Sequence, residues 1–253
     1  MKYSITQIWD FLLEVVFPRS GIARNLEKMG ADEALAKLPL CGMIEGGVVG
    51  GGDIVGGVGG VGGVGGVGGV GGGIFAVFRY RNVMARRMIW ELKYRGNKKV
   101  ARLCAEVLYK TILELENFFE SNRVGQNLEV ILIPVPLTRA RRRERGFNQN
   151  EIVIEEIMKI VSEESFVGER IFSFSFDALV KVRNTAPQSS IKNRAERLKN
   201  LAGCFSVPIP ELVRGKNIIL IDDVATTGST LAEARTALLQ AGALSVRAIA
   251  IAH

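Results

Sequence analysis

The stretch that decides the fold is residues 217–230, NIILIDDVATTGST. Residues 218–221 are all apolar, which is typical of a strand buried on both faces of a parallel sheet. Asp222 and Asp223 follow directly, at the carboxyl end of that strand, where ligands bind in such sheets. The remaining residues then lead through a glycine-containing turn into the next helical pattern.

The turn at residues 226–230, TTGST, predicts an anion site. Free N–H groups and the dipole at a helix N-terminus favour a phosphate, and Gly228 permits a positive φ or a close backbone approach. We expect Thr230 and Glu233 to form a capping box, which leaves the earlier amides and hydroxyls for a ligand. Asp222 and Asp223 would accept hydrogen bonds from vicinal hydroxyls, so a sugar 5-phosphate satisfies both halves of the stretch.

Two other interpretations fit the same residues. The acids can simply end a strand while the hydroxyls cap a helix. An acidic pair at a strand end can also hold magnesium, as in receiver-like domains. The stretch is not a Walker A loop, because the chain contains no GxxxxGK followed by Ser or Thr. The spacing alone leaves these interpretations open.

Strands alternate with helices over residues 74–253, which predicts an α/β fold with a parallel sheet flanked by helices. The predicted strands are IFAVFRY, LEVILIPVP, DALVKV, NIILID and SVRAIAIA. Helices are predicted at residues 82–94 and 98–120 and in NQNEIVIEEIMKIV, IKNRAERLKN and LAEARTALLQAG. Asn148 and Gln149 either orient a substrate or cap the helix that follows them.

Two segments precede this region. Residues 1–45 carry helical patterns, with Gly30 as a stop and Asp32 as a new N-cap, and predict a helical N-terminal extension. Residues 46–73 repeat Gly-Gly-Val. Glycine costs about 1 kcal/mol per residue in a helix relative to alanine, so this run predicts a flexible linker rather than a transmembrane segment. The phosphate-binding domain is therefore expected at residues 74–253.

The composition narrows the chemistry. A net charge of +7 suits phosphates, nucleic acid or an anionic surface, and it equally suits an ordinary soluble protein. Cys41, Cys104 and Cys204 lie far apart, so neither a zinc knuckle nor a disulfide framework is indicated. The only histidine in the sequence is His253, which argues against a histidine-based triad. We expect a cytoplasmic protein, where thiols stay reduced.

Four stretches together resemble a known family. IILIDDVATTGST resembles the motif with which type I phosphoribosyltransferases bind phosphoribosyl pyrophosphate (PRPP). WELKYRGNKKVARL, IPVPLTRARRRERGFNQNE and RNTAPQSSIKNRAERLKNLAGCFSV narrow the resemblance to the ComF/GntX branch. The four cover residues 75–253 in the order of the family, so the resemblance implies the type I phosphoribosyltransferase fold.

The resemblance also implies roles for single residues. The acids would hold the ribose hydroxyls, residues 225–230 the 5-phosphate, the loop at residues 137–139 the pyrophosphate, and residues 183–188 a mobile loop over the site. Arg139, Arg183 or Arg194 would assist the leaving group, because a guanidinium matches phosphate geometry. The implied catalytic residues are Asp222, Asp223 and Arg139. The implied PRPP-binding residues are Asp222, Asp223, Ala225, Thr226, Thr227, Gly228, Ser229, Thr230, Leu137, Thr138 and Arg183.

The family further implies a magnesium-dependent enzyme that transfers phosphoribosyl from PRPP to a nitrogen nucleophile, with Mg²⁺ held by substrate oxygens and water. The alternative is a non-catalytic accessory protein of DNA uptake that binds PRPP, a nucleotide or single-stranded DNA with competence proteins. The basic run at residues 139–146 fits either a contact to phosphates of PRPP or nucleic acid, or a solvated loop and helix start. Relatives often carry an N-terminal zinc ribbon of paired cysteines, but this region holds only Cys41, so we do not expect zinc. The sequence leaves a homodimer open.

Overall fold

A computed structural model describes residues 21–44, 74–120, 129–163, 171–183 and 203–253. The strands are β1 Leu40–Ile44, β2 Ile74–Phe78, β3 Glu129–Pro134, β4 Ile171–Phe174, β5 Val180–Lys181, β6 Phe205–Ser206, β7 Asn217–Val224 and β8 Ser245–Ala252. The helices are α1 Gly21–Leu26, α2 Ala31–Lys37, α3 Val83–Arg95, α4 Lys98–Glu120, α5 Arg139–Arg145, α6 Gln149–Glu163 and α7 Ser229–Gln240, with a short 3₁₀ helix at Pro210–Leu212.

The main sheet has the strand order β1-β2-β8-β7-β3-β4. All neighbouring pairs from β2 to β4 are parallel, and only the edge strand β1 runs antiparallel to its neighbour β2. β7 lies between β8 and β3, with Ile219 opposite Arg247 on one side and Leu132 on the other. The predicted parallel α/β sheet is therefore confirmed, and β7 holds a central position in it.

β7 is covered on both faces. Ile219 and Ile221 point into a core formed with the buried faces of α3, α4 and α6. Ile218 and Leu220 point into a second core on the opposite face, which includes Leu231 and other residues of α7. Two covered faces require apolar side chains at successive positions, which explains why the strand has no alternation of polar and apolar residues.

The strand prediction for DALVKV is wrong as a member of the main sheet. Only Val180 and Lys181 are extended, and they form β5, which pairs with β6 in a separate two-stranded sheet. Ala178 and Leu179 are instead buried in the second core, where their apolar character serves packing. The strand beside β3 is β4, Ile171–Phe174, which the sequence analysis did not predict.

The segment before the glycine-rich run is not wholly helical. Helices α1 and α2 form as expected, but residues 40–44 extend the sheet as β1. Gly30, not Asp32, is the N-cap of α2, and Asp32 lies in its first turn. The predictions for residues 1–20, the linker at 46–73 and the basic helix IKNRAERLKN concern residues outside the described ranges. Within those ranges, no helix has the length and hydropathy needed to cross a membrane.

Candidate functional site

The twin acids lie at the carboxyl end of β7, beside the loop that follows β3. Their side chains are buried, with Asp222 8% and Asp223 4% exposed. The backbone N–H of Val135 donates to the carbonyl of Ile221 at 2.9 Å, which brings the β3 loop against the end of β7. The position agrees with the rule that ligands bind beyond the carboxyl ends of parallel strands.

Protein donors from two helices reach one oxygen of each acid. Asn150 Nδ2 donates to Asp222 Oδ1 at 3.0 Å, and this oxygen also accepts the backbone N–H of Asp223 at 2.9 Å. Gln149 Nε2 donates to Asp223 Oδ2 at 2.7 Å, and Lys93 Nζ lies 3.1 Å from the same oxygen. Among the described residues, Asp222 Oδ2 and Asp223 Oδ1 have no such donor. These two oxygens can therefore accept hydrogen bonds from a ligand.

The two acids differ electrostatically. Burial raises the pKa of Asp222 from 3.8 to about 7, and the nearby charge of Asp223 adds to this effect. The hydrogen bond from Asn150 and the charge of Lys93 act in the opposite direction. Lys93 contacts Asp223 directly. The positive charge of Lys93 therefore compensates the negative charge of Asp223, and the protonation of Asp222 is left sensitive to pH near neutrality.

The turn after β7 has the backbone that the sequence predicted. Gly228 is in the left-handed region with φ 70°, and a Cβ added to it would lie 2.7 Å from Ile74 Cδ1. The hydroxyls of Thr227 and Ser229 are 2.7 Å apart. Within the described ranges, the backbone N–H groups of Thr227 and Gly228 have no protein acceptor. They precede the first turn of α7, which is the geometry of an anion site.

The predicted capping box in this turn is wrong. Gly228, which has no side chain, is the N-cap of α7. Glu233 Oε1 accepts the backbone N–H of Gly203 at 2.5 Å, and so connects α7 to the segment that leads into β6. Thr230 is the second residue of the helix and therefore does not hold the N-cap position of a capping box.

In the loop after β3, the buried position is held by an uncharged residue and the charged side chain is exposed. Thr138, buried, caps α5 by accepting the N–H of Arg141 at 3.3 Å. Leu137 is half-buried and Arg139 is exposed at the first position of α5. The basic run at 139–146 is thus a short helix with its arginines mostly exposed, which the sequence analysis described as a loop and helix start.

A small two-stranded unit, β5 and β6, covers this end of the sheet. Phe205 and Leu179 pack in the same core as Val135 and Ala225, which begin the two site loops. Lys181 Nζ lies 5.2 Å from the centre of the Phe205 ring. Burial lowers the pKa of Lys181, which also interacts electrostatically with Asp222. The unit therefore brings a half-buried cation within electrostatic range of Asp222.

The predicted site residues of the two loops differ in exposure. Ala225, Gly228 and Ser229 are buried, and Thr226 is exposed. Arg183 is exposed beside Gly203, and the rest of the predicted mobile loop, residues 184–188, lies outside the described ranges together with Arg194. The roles of these residues in ligand binding stay predictions.

Sequence reasoning missed Lys93 and Asn150 and left Gln149 undecided. Asn148 proves to be the helix cap: its Oδ1 accepts the N–H of Asn150 at 3.1 Å, and its Nδ2 donates to the carbonyl of Val135 at 3.2 Å. Gln149 contacts an acid directly. Lys93 lies in the stretch WELKYRG, and Asn148, Gln149 and Asn150 lie in FNQNE. Both stretches belong to the family resemblance, and that was the sequence signal that could have identified these residues.

Comparisons with known proteins agree with this geometry. Residues 131–253 match the family described as phosphoribosyl transferase domain. The chain is 29% identical over 160 residues to the DNA utilization protein YhgH of Escherichia coli O157:H7, covering 63% of this chain and 63% of that protein. It is 29% identical over 167 residues to the competence protein ComFC of Bacillus subtilis strain 168, covering 66% of this chain and 58% of that protein.

A third relative is the competence protein ComFC of Streptococcus pneumoniae strain R6, 32% identical over 136 residues, with 53% of this chain and 52% of that protein covered. The match thus spans less than two thirds of the length of each of these relatives. The domain match, the shared stretches and the parallel sheet with its twin acids point the same way. Residues 131–253 form a phosphoribosyl transferase domain of the type I fold, in a chain that is similar to proteins of the ComF type.

Proposed function

We propose that the site binds PRPP and transfers its phosphoribosyl group to a nitrogen nucleophile with release of pyrophosphate. One observation carries the proposal: two buried carboxylates, each with one oxygen still available, lie beside a turn whose N–H groups at Thr227 and Gly228 lack a described acceptor. A ribose diol complements the oxygens and its 5-phosphate complements the amides. A free metal ion or a neutral sugar would complement only one half.

In this mechanism the chain positions the sugar and neutralises charge. The bond between C1 and the pyrophosphate oxygen breaks with its electron pair leaving on pyrophosphate, and the nucleophile adds to C1 and then loses a proton to solvent. Asp222 and Asp223 fix the ribose by its hydroxyls, and the turn fixes its 5-phosphate. Arg139, exposed at the start of α5, would supply positive charge to the departing group as that group reaches solvent. Orientation of this kind and fixed charges account for most of the catalysis that such a transfer needs.

The residues present fit a metal that arrives with the substrate. Among the described residues, no group of three His, Cys, Asp or Glu side chains converges as a metal site. Asp223 is already paired with Lys93. Mg²⁺ that arrives with the pyrophosphate, bound by its oxygens and by water, would offset the charge of the leaving group.

A turnover assay tests the proposal. The protein is incubated with PRPP, Mg²⁺ and a panel of nucleobases and amines, and pyrophosphate release is measured. We expect release that depends on one class of acceptor and is lost in Asp222→Asn/Asp223→Asn. If PRPP binds but no acceptor causes release above the rate of the variant, the protein is a binding module and the transfer step is wrong.

A second candidate function, binding of single-stranded DNA, is favoured by the surface of α3. Tyr94 is 51% exposed, and its ring centre lies 5.7 Å from that of Trp90. Guanidinium groups cover both rings: Arg87 lies 4.3 Å and Arg95 5.2 Å from Trp90, and Arg145 of α5 lies 5.9 Å from Tyr94. Exposed aromatic rings among cations are the features on which bases stack while phosphates are neutralised.

The printed names of the relatives, DNA utilization protein and competence protein, concern those proteins and make DNA a reasonable probe here. We expect a fluorescent oligothymidylate to bind with an affinity that falls steeply with salt. Tyr94→Ala should weaken binding by about 1–3 kcal/mol, the value of one base stack. The control is Tyr80→Ala, since Tyr80 is also exposed but precedes the opposite end of α3. Equal affinities for both variants and the wild type would exclude the α3 surface.

A further inference from the structure

We propose that Lys93, Gln149 and Asn150 form a positioning clamp that presents the twin acids to a vicinal diol. The inference rests on the proposed function, because it concerns how the same site recognises ribose. It goes further in assigning diol specificity to side chains that do not themselves contact the sugar.

The clamp is a set of direct contacts from separate elements. Gln149 and Asn150, both 2% exposed, are the first two residues of α6, and they donate to Asp223 at 2.7 Å and to Asp222 at 3.0 Å. Lys93, in the last turns of α3, approaches Asp223 at 3.1 Å from another side. Each contact takes one named oxygen and leaves the other oxygen of the same acid without a described donor.

The clamp is itself held in place. Asn150 Nδ2 also donates to the carbonyl of Val135 at 3.1 Å, so the amide is fixed to the loop after β3. Gln149 Oε1 accepts a hydrogen bond from Arg145, which fixes the orientation of its amide and therefore the donor that faces Asp223. Because the oxygen of Gln149 is used by Arg145, this amide can offer only N–H to the acid. Asn150 directs its Nδ2 at two acceptors, the Val135 carbonyl and Asp222 Oδ1, and its oxygen could pair with neither of them.

Two consequences follow for ligand choice. The clamp holds each carboxylate in one rotamer and leaves its other oxygen available to accept a hydroxyl. Lys93 compensates one of two adjacent negative charges, so the pair presents itself as an acceptor for neutral hydroxyl groups. Loss of the clamp would let the carboxylates reorient, and recognition of the diol would decline while the phosphate turn remained unchanged.

The experiment compares two ligands that differ by one hydroxyl, ribose 5-phosphate and 2-deoxyribose 5-phosphate. Their dissociation constants are measured by calorimetry on the full chain, with inorganic phosphate as a probe of the turn alone. In the wild type we expect ribose 5-phosphate to bind about tenfold more tightly than the deoxy analogue, as for one hydrogen bond to a charged acceptor. In Gln149→Met and Asn150→Leu we expect this ratio to fall close to one while phosphate affinity stays within about twofold of wild type.

Asn148→Ser is the matched control. Asn148 is as buried as its neighbours and contacts neither acid. Serine is an uncharged N-cap that can still accept the N–H of Asn150, so the ratio for this variant should stay at the wild-type value. Lys93→Met replaces a half-exposed side chain and tests the clamp in a variant that folds even if the buried substitutions do not. A ratio that stays high in Lys93→Met and in the folded amide variants overturns the clamp. A wild-type ratio near one overturns the proposed function instead.

Discussion

Gly228→Ala tests the geometry of the turn after β7. Gly228 has φ 70°, and the new Cβ would lie 2.7 Å from Ile74 Cδ1, where a normal carbon contact is about 3.5–4.0 Å. The left-handed conformation costs a non-glycine residue about 1–2 kcal/mol. The contacted atom is the far end of the Ile74 side chain, which can shift, so overpacking adds about 1 kcal/mol, the low end of its usual range. We therefore expect the variant to lose about 2–3 kcal/mol of unfolding free energy.

The two parts of this cost can be separated. Ile74→Val removes the Cδ1 atom that the new Cβ would strike, and by itself should cost about 0.5–1.5 kcal/mol. Urea unfolding of wild type, both single variants and the double variant gives a double-mutant cycle. The double variant should be more stable than the sum of the single effects by about 1 kcal/mol, which is the relieved overlap. Strict additivity, or a Gly228→Ala protein as stable as wild type, would refute the proposed close approach.

Two further predictions concern the acids and the sheet. The pKa of Asp222 is raised from 3.8 to about 7 in the folded protein, so its contribution to stability is full below about pH 4 and declines as pH rises through about 7. Urea unfolding of wild type and Asp222→Asn at about pH 5 and about pH 8 should therefore show the wild type losing stability relative to the variant as pH rises. A constant difference in stability between the two proteins would contradict the raised pKa. Leu132→Ala should cost about 2–5 kcal/mol of unfolding free energy, because Leu132 is fully buried in β3 between β4 and β7; a loss below about 1 kcal/mol in the same assay would mean that this strand is not packed on the core.

The sheet could be predicted from sequence where the local pattern of apolar residues was enough to indicate how a strand is buried. The run Ile218–Ile221 is apolar at every position, and only a strand covered on both faces uses such a run. Gly228 was predictable for a similar reason, because a tight turn that leads into a helix restricts the choice of residue locally. The prediction for DALVKV was wrong because an apolar segment of that length can equally pack beneath a short hairpin.

The contacts around the acids could not be predicted because they join distant parts of the chain. Lys93 and Asp223 are separated by most of the domain, and a lysine on an amphipathic helix is usually solvated. Thr230 and Glu233 have the spacing of a capping box, but Glu233 binds the backbone of Gly203 instead. Sequence spacing indicates only which local contacts are possible. In the folded chain, Glu233 makes a tertiary contact instead of the local one.

Binding of the PRPP ribose by Asp222 and Asp223 can be tested by calorimetry. The affinity for PRPP in the presence of Mg²⁺ is measured for the wild type and for Asp222→Asn/Asp223→Asn. We expect saturable binding at one site per chain in the wild type, and an affinity at least about tenfold weaker in a folded double variant. Equal affinities for the two proteins, or no heat of binding in the wild type, would contradict the central claim.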